Sequence, residues 1–258
     1  MKNLVVLVII LFSFNASAQK VYKHGVFWGR IVLTDTINSK LRWELYLQKR
    51  TQNTSSESAN IFAAPHFISI WPWLSYKITR STKVSLSPIA YFDSHLFYNS
   101  PQEVKPEGVK EYRTSLRLET EQKMRLFNNS NRYSLEYRLR DLRNIGEYKP
   151  NWRVRYMFKL EKPLDKLLSS EKPLNVFASN EVFIQFVNAV RNNPNIFDQN
   201  RINVGAGYEV FKNVKLSASY LKIIQQRISG KEIDNADALW MVVTFDNLFS
   251  QFSRRDKE

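Results

Sequence analysis

YRTSLRLETEQKMRLF at residues 112–127, NNSN at 128–131 and RYSLEYRLRDLR at 132–143 decide the fold class. Successive side chains of an extended chain point to opposite sides. In the first stretch Leu116, Leu118, Met124 and Leu126 therefore share one face, and Arg117, Glu119, Glu121, Lys123 and Arg125 share the other. The third stretch repeats the pattern, with Tyr133, Leu135, Tyr137 and Leu139 opposing Ser134, Glu136, Arg138 and Arg140. The four polar residues between them have the composition of a tight turn. A hairpin closed at Asn128–Asn131 is predicted to set Lys123 against Glu136, Glu121 against Arg138 and Glu119 against Arg140. On its other face Met124 would meet Leu135 and Leu126 would meet Tyr133.

Working outward, the same alternation recurs with few interruptions. Leu41, Trp43, Leu45 and Leu47 oppose Arg42, Glu44, Tyr46, Gln48 and Arg50, and Trp152, Val154, Tyr156 and Phe158 oppose Arg153, Arg155, Met157 and Lys159. Further strands are expected at 176–186, 201–211, 214–224 and around Leu239–Phe245, with Arg201 and Glu209 on a polar face. Segments of about ten residues, apolar on one side and ionisable on the other, are the signature of an antiparallel transmembrane β-barrel. Trp28, Trp71, Trp73, Tyr91, Phe92, Tyr98, Trp152 and Trp240 are expected to form interfacial girdles. Short turns near 37–40, 80–83, 128–131 and 212–213 alternate with longer loops at 51–64, 99–110, 188–198 and 228–235. Eleven segments can be counted. Single-chain bacterial barrels normally have an even number, so about twelve strands are expected, with ten as the alternative. The further strand is sought in residues 19–35 or in the Pro-interrupted region from Trp71 to Pro88. A soluble carrier of the lipocalin kind is the competing architecture. It would bury the apolar face and leave the charges in water.

The N-terminus bears on compartment. Lys2, the apolar run Leu4–Phe14 and the small triplet Ala16-Ser17-Ala18 read as a signal peptide covering residues 1–18, cleaved after Ala18, which leaves 19–258 as one barrel domain. The run is too short for a membrane-spanning helix. Outer-membrane lipids and the barrel assembly machinery are the partners this predicts, the aromatic end of the last strand, Phe245–Phe249, serving as the assembly signal. The formal net charge is +14, and loss of Lys2 lowers it by one. The basic residues alternate with apolar ones instead of running together, which points to a lumen and away from a nucleic-acid stripe. There is no cysteine, so disulfide staples and thiolate chemistry are excluded.

Three stretches carry a resemblance: Glu136-Tyr137-Arg138-Leu139-Arg140, then Asn151-Trp152-Arg153-Val154-Arg155-Tyr156, and then Phe197-Asp198-Gln199-Asn200-Arg201 leading into Gly205-Ala206-Gly207-Tyr208. In these the chain resembles the family catalogued as domain of unknown function 2490, predicted outer-membrane barrels of diderm bacteria. The resemblance implies location and fold and brings no activity with it.

Chemistry then rests on individual residues. The three histidines are separate: His24 ahead of the first strand, His66 three residues from Ser69 and so on the opposite strand face, and His95 beside Asp93 and Ser94. Neighbours along a strand point apart, so Asp93-Ser94-His95 is a triad by type and not by expected geometry. Glu119 and Glu121 share a face about 7 Å apart, a spacing that suits paired carboxylates of a glycosidase. Basic residues placed opposite them read better as an ion-pair ladder. No histidine pair has metal-ligand spacing and no Gly-rich loop cradles a phosphate, so no cofactor is expected. The candidate site is the lumen charge ladder itself: Arg117, Glu119, Glu121, Lys123, Arg125, Glu136, Arg138, Arg140, Arg153, Arg155, Arg201 and Glu209. It is compatible with a narrow pore for small anionic solutes, a closed structural barrel, or a lipid-modifying or hydrolytic barrel.

Overall fold

A computed structural model describes residues 20–104, 107–164, 174–186, 196–227 and 229–253. The predicted signal peptide, Arg254 and Arg255 lie outside them. Eleven strands among the described residues follow one another around a single closed sheet: β1 Lys20–Thr36, β2 Leu41–Gln52, β3 Ala64–Lys77, β4 Thr82–Ser94, β5 Val109–Lys123, β6 Asn128–Asp141, β7 Lys149–Leu164, β8 Leu174–Phe186, β9 Phe197–Phe211, β10 Val214–Gln226 and β11 Glu232–Phe245. Each pairs antiparallel with its neighbours in sequence. The ring closes through β1 and β11, which run parallel from Lys20 opposite Glu232 to Leu33 opposite Phe245.

The strand count corrects the expectation of twelve. An up-and-down ring with an odd number of strands brings its first and last strands together in the same direction, and a parallel ladder closes it with evenly spaced, slanted hydrogen bonds. Of the two regions in which a further strand is sought, the first holds one, β1, and the Pro-interrupted second holds only the end of β3 and the start of β4. Residues 20–36 form one strand of 17 residues. Pro72 and Pro88 lie inside β3 and β4, where the pairing slips between Ile70 and Leu74 and between Ser87 and Ala90. Proline offers no ladder donor and is accommodated at such irregularities. At one of them Thr114 Oγ1 donates to the Pro88 carbonyl at 2.8 Å.

The β5–β6 hairpin forms with its faces as read and its register changed. Asn128–Asn131 lie in β6, and the turn is Met124–Phe127, closed by Met124 N–H donating to the Phe127 carbonyl at 3.0 Å. Lys123 therefore faces Asn128, Glu121 faces Ser130 and Glu119 faces Arg132, so the three predicted charge pairs do not form. Period-two alternation fixes which face a residue takes, but every shift that keeps the faces satisfies it equally. Contact with β7, which continues to Asn128 opposite Glu161, decides the register that the hairpin alone leaves open.

The barrel is inverted relative to a soluble β-protein. Ile68, Ile70, Leu116, Leu135, Val154 and Val204 stand on the outside, Ile68 at 51% and Val204 at 54% exposure. Glu136, Arg138, Arg153 and Glu181 are buried within. Strands of 12 to 17 residues are longer than the roughly 9–11 needed to cross a bilayer at a tilt. The predicted aromatic girdle is largely overturned: Trp28, Trp71, Trp73, Phe92 and Tyr98 are buried, and Trp240 packs on the interior cluster. They occupy lumen positions because a ring of eleven strands encloses more space than the eight-stranded interior that side chains just fill. Of the eight, Trp152 faces outward at 41% exposure, and Tyr91 packs on the outward Tyr112 with ring centres 5.7 Å apart.

Close approach at Gly205 shows how tightly β9 and β10 meet. A Cβ there would come within 2.3 Å of Ser219 Cβ and 2.5 Å of the Ala218 carbonyl oxygen, whereas at Gly207 the nearest atom is 3.3 Å away. Gly205→Ala is expected to lower the unfolding midpoint of the refolded barrel clearly, and Gly207→Ala to leave it within a few degrees. Thermal unfolding followed by band shift on a gel compares them, and equal midpoints would refute the close-packing argument.

Candidate functional site

The lumen is built in two unlike halves. Along β1, β10 and β11 the middle of the inward face is an apolar cluster: Val26, Trp28, Leu221, Ile223, Ala236 and Ala238, joined by Phe97 from the β4–β5 loop. Along β5 to β9 they are ionic. Glu136, with no exposed surface, receives Arg153 at 2.6 Å, Arg155 at 2.7 Å and Arg113 at 3.4 Å. Glu111 receives Arg113 at 2.5 Å, Arg138 at 2.7 Å and Arg140 at 3.3 Å. Glu181 holds Arg155 at 2.7 Å and Arg132 at 2.8 Å, and Asp198 holds Arg153 at 2.9 Å. Guanidinium forks bridge two carboxylates at once, so the acids and bases form one continuous lattice across five strands.

Aromatic faces carry the remaining guanidinium surfaces. Arg117 lies 3.7 Å from the centre of the Trp73 ring, Arg113 3.8 Å from Phe92, and Arg50 3.4 Å from Trp28 and 4.1 Å from Phe67. Such contacts contribute about 0.5–2 kcal/mol each as water is excluded.

Of the ladder read from the sequence, Glu136, Arg138, Arg140, Arg153 and Arg155 meet in this lattice. Arg117 and Glu119 sit beside it, with Glu119 taking Lys83 at 3.0 Å and Arg117 at 3.8 Å. Arg201 also faces inward, stacked 4.5 Å from Phe183, and Glu209 lines a lower chamber of about 610 Å³ on the short-turn side of the lattice. Glu121 and Lys123 are exposed at the end of β5 and Arg125 lies in the turn, so these three are corrected from ladder to rim. Glu119 and Glu121 consequently do not form an inward carboxylate pair.

Glu111, Arg113 and Arg132 were legible by extending the parity of Arg117 and Arg138 but fell outside the ladder. Arg30 belongs to the same inward face. Asp198 carried no such signal. It is turned inward by the slip that places Gln199 opposite Phe183 and Phe197 opposite Ile184.

A second slip, between Arg50 and Thr51 opposite Phe67 and Pro65, does the same for His66. His66 and Ser69 are both buried on the lumen side, against the expectation of opposite faces. His24 lies within β1 instead of before it, its Nε2 2.9 Å from Asp234 Oδ1. The Phe97 ring is stacked between the two imidazoles, 4.7 Å from His24 and 4.3 Å from His66. His95 turns its Nδ1 to the Tyr98 hydroxyl at 2.9 Å, and Ser94 Oγ donates to the Val109 carbonyl at 3.5 Å, so Asp93-Ser94-His95 do not assemble a triad. Among the described residues no cluster of three His, Asp or Glu is placed to hold a metal ion.

Phe97 and Tyr98 belong to a loop that folds into the mouth of the barrel. Gln52 donates to the Leu96 carbonyl at 2.8 Å and accepts from Tyr98 N–H at 3.1 Å. Arg227 donates to the Phe97 carbonyl at 2.6 Å and to Glu103 at 2.9 Å. Beneath this plug lies a cavity of about 270 Å³, and on the far side of the lattice one of about 610 Å³ that shares walls with a 770 Å³ vestibule at the short-turn rim. Arg30, Trp71, Arg155 and Arg201 line both the 270 and the 610 Å³ spaces and form the septum between them.

A family model described as "Protein of unknown function (DUF2490)" matches residues 26–234. No curated protein and no solved structure matches the chain.

Glu136→Gln leaves three guanidiniums facing a neutral amide, and loss of one partner of a buried ion pair costs roughly 3–5 kcal/mol. Glu121→Gln at the rim is expected to change stability by less than about 0.5 kcal/mol. Urea unfolding in detergent or lipid measures both, and a Glu136→Gln barrel as stable as the parent would remove the lattice as a stabilising element. The Glu103 carboxyl is held below its ordinary value by the Arg227 hydrogen bond. A depressed carboxylate stabilises the folded state above its unfolded pKa and ceases to do so as pH falls through the folded one. The stability gap between parent and Glu103→Gln is therefore expected to be constant from pH 6 to 8 and to shrink below about pH 4, read from unfolding midpoints across pH.

Proposed function

We propose, from the premise that this chain belongs to the family of proteins of unknown function DUF2490, that it is an outer-membrane β-barrel with a closed lumen. On this reading it is exported with cleavage after Ala18, and it acts as a structural or binding element of the envelope and not as a through-pore. The observation that carries the reading is the inverted amphipathicity of the wall: large apolar side chains outside, an Arg–carboxylate lattice within. A soluble β-protein would hide Ile68, Leu116 and Val204 and wet Glu136. Here the apolar belt needs lipid, and the ionisable groups are spared its cost by pairing inside.

Closure is supported by two obstructions in series, the Phe97 plug and the septum of Arg30, Trp71, Arg155 and Arg201. Outer-membrane lipids are then the partner of the belt, and the assembly machinery would read Phe245–Phe249 at the end of the strand that seals the ring.

Fractionation with a heat-modifiability gel tests the location: a band in the outer-membrane fraction whose mobility changes on boiling is expected. Conductance tests the closure. The parent protein is expected to give no steady current in a planar bilayer, whereas Trp71→Ala combined with Arg155→Ala is expected to give one that prefers anions. Steady current from the parent would replace the closed barrel with an anion pore, and an unshifted band in the soluble fraction would replace the membrane barrel with a lipocalin-like carrier.

A further inference from the structure

Arg30, Arg50 and Arg201 stand apart from the ionic lattice. Their guanidinium carbons lie 5.7, 3.4 and 5.0 Å from the centre of one indole ring, that of Trp28. Among the described residues none of the three forms an ion pair. Arg30 donates to Gln48 Oε1 at 3.0 and 2.7 Å, and Arg50 and Arg201 rest on aromatic faces. The nearest acid by register, Glu181 opposite Arg201, is already engaged by Arg155 and Arg132.

Most of the polar atoms left over here are donors, with the Asn203 amide oxygen as the acceptor among them. Arg50, with 8% of its surface exposed, has a buried Nε with no acceptor. The same holds for Arg201 Nε and for the indole N–H groups of Trp28, Trp71 and Trp240. Three cations gathered on one ring, with surplus buried donors and only a neutral amide oxygen left over near them, cost free energy until an anion joins them.

We infer that Arg30, Arg50 and Arg201 form a binding site at the septum for the phosphate or carboxylate head of a small amphiphile. The lower chamber gives the shape of the rest. Arg30 and Arg201 line its inner end, and Tyr46, Met157, Phe177, Leu221, Trp240 and Val242 supply apolar wall along its 610 Å³. The vestibule that shares its walls opens at the short-turn rim, so the ligand enters apolar tail last from that side. Planar guanidiniums match an oxyanion in two-point contacts that a chloride ion cannot use. The site does not depend on the barrel's location or on its failure to conduct.

The test is a titration of the refolded, full mature chain in a neutral detergent at constant ionic strength, following tryptophan fluorescence, because Trp28 and Trp240 are stacked 4.7 Å apart at the site. The probes are inorganic phosphate, hexyl phosphate, hexanoate and sodium chloride. Saturable quenching by hexyl phosphate or hexanoate, at least tenfold tighter than inorganic phosphate and without response to chloride, is expected. Arg30→Gln and Arg201→Gln, each checked for folding by its heat-dependent gel shift, are expected to weaken it at least tenfold. Arg42→Gln, at the rim and paired with Asp246, is expected to leave it unchanged.

Inorganic phosphate binding as tightly as hexyl phosphate would overturn the amphiphile and make this a free-anion site. Absence of saturable binding for all three oxyanions would overturn the site itself, as would binding unaffected by both septum substitutions.

Discussion

Everything in this barrel depends on side chains that can bridge a wide lumen. Eleven strands enclose more room than aliphatic side chains reach across, and arginine, glutamate and tryptophan are the residues long enough to meet in the middle. An isolated charge in that position would be prohibitive. Glu136 is tolerable because three guanidiniums surround it, and those are tolerable because Glu111, Glu181 and Asp198 take their other faces. The lattice is therefore collective. No member can be exchanged for an apolar residue of its own size without stranding a neighbour, while the apolar half along β1, β10 and β11 packs as an ordinary core.

That division explains how much could be read from the sequence. Alternation in residues 41–50, 112–127 and 132–143 is visible one residue at a time, and with it the all-β character and the identity of the inward face. Register was not visible. Moving the β5–β6 turn from Asn128–Asn131 to Met124–Phe127 leaves every face unchanged, and a polar turn looked better by composition than the apolar one the chain uses. The next strand, β7, carries the missing information, and it lies outside the hairpin.

The site was legible in the same degree. Glu136, Arg138, Arg153 and Arg155 follow from parity. His66 and Asp198 break parity because each sits at a slip in the ladder, where an extra residue turns a side chain that should face outward into the lumen. The two deviations do chemically distinct things: one supplies an imidazole to stack on Phe97, the other a carboxylate to complete Arg153. The aromatics misled for a related reason. Tryptophan suits an interface and the inside of a wide barrel alike, and only the wall's curvature tells the two apart.

The parallel seam has a further consequence for how the chain is laid out. Because β1 and β11 run the same way, Lys20 begins at the rim that carries the long loops, while Phe245 ends at the rim of short turns, beside Leu33. In an even-stranded ring the two ends are neighbours, and a few residues could splice them and reopen the circle elsewhere. Here a splice would have to travel the full height of the wall, either through a lumen already occupied by the lattice or across the apolar belt. The order of strands in this protein is thus locked by geometry, and extensions grafted at Lys20 and after Phe245 emerge on opposite sides of whatever the barrel divides.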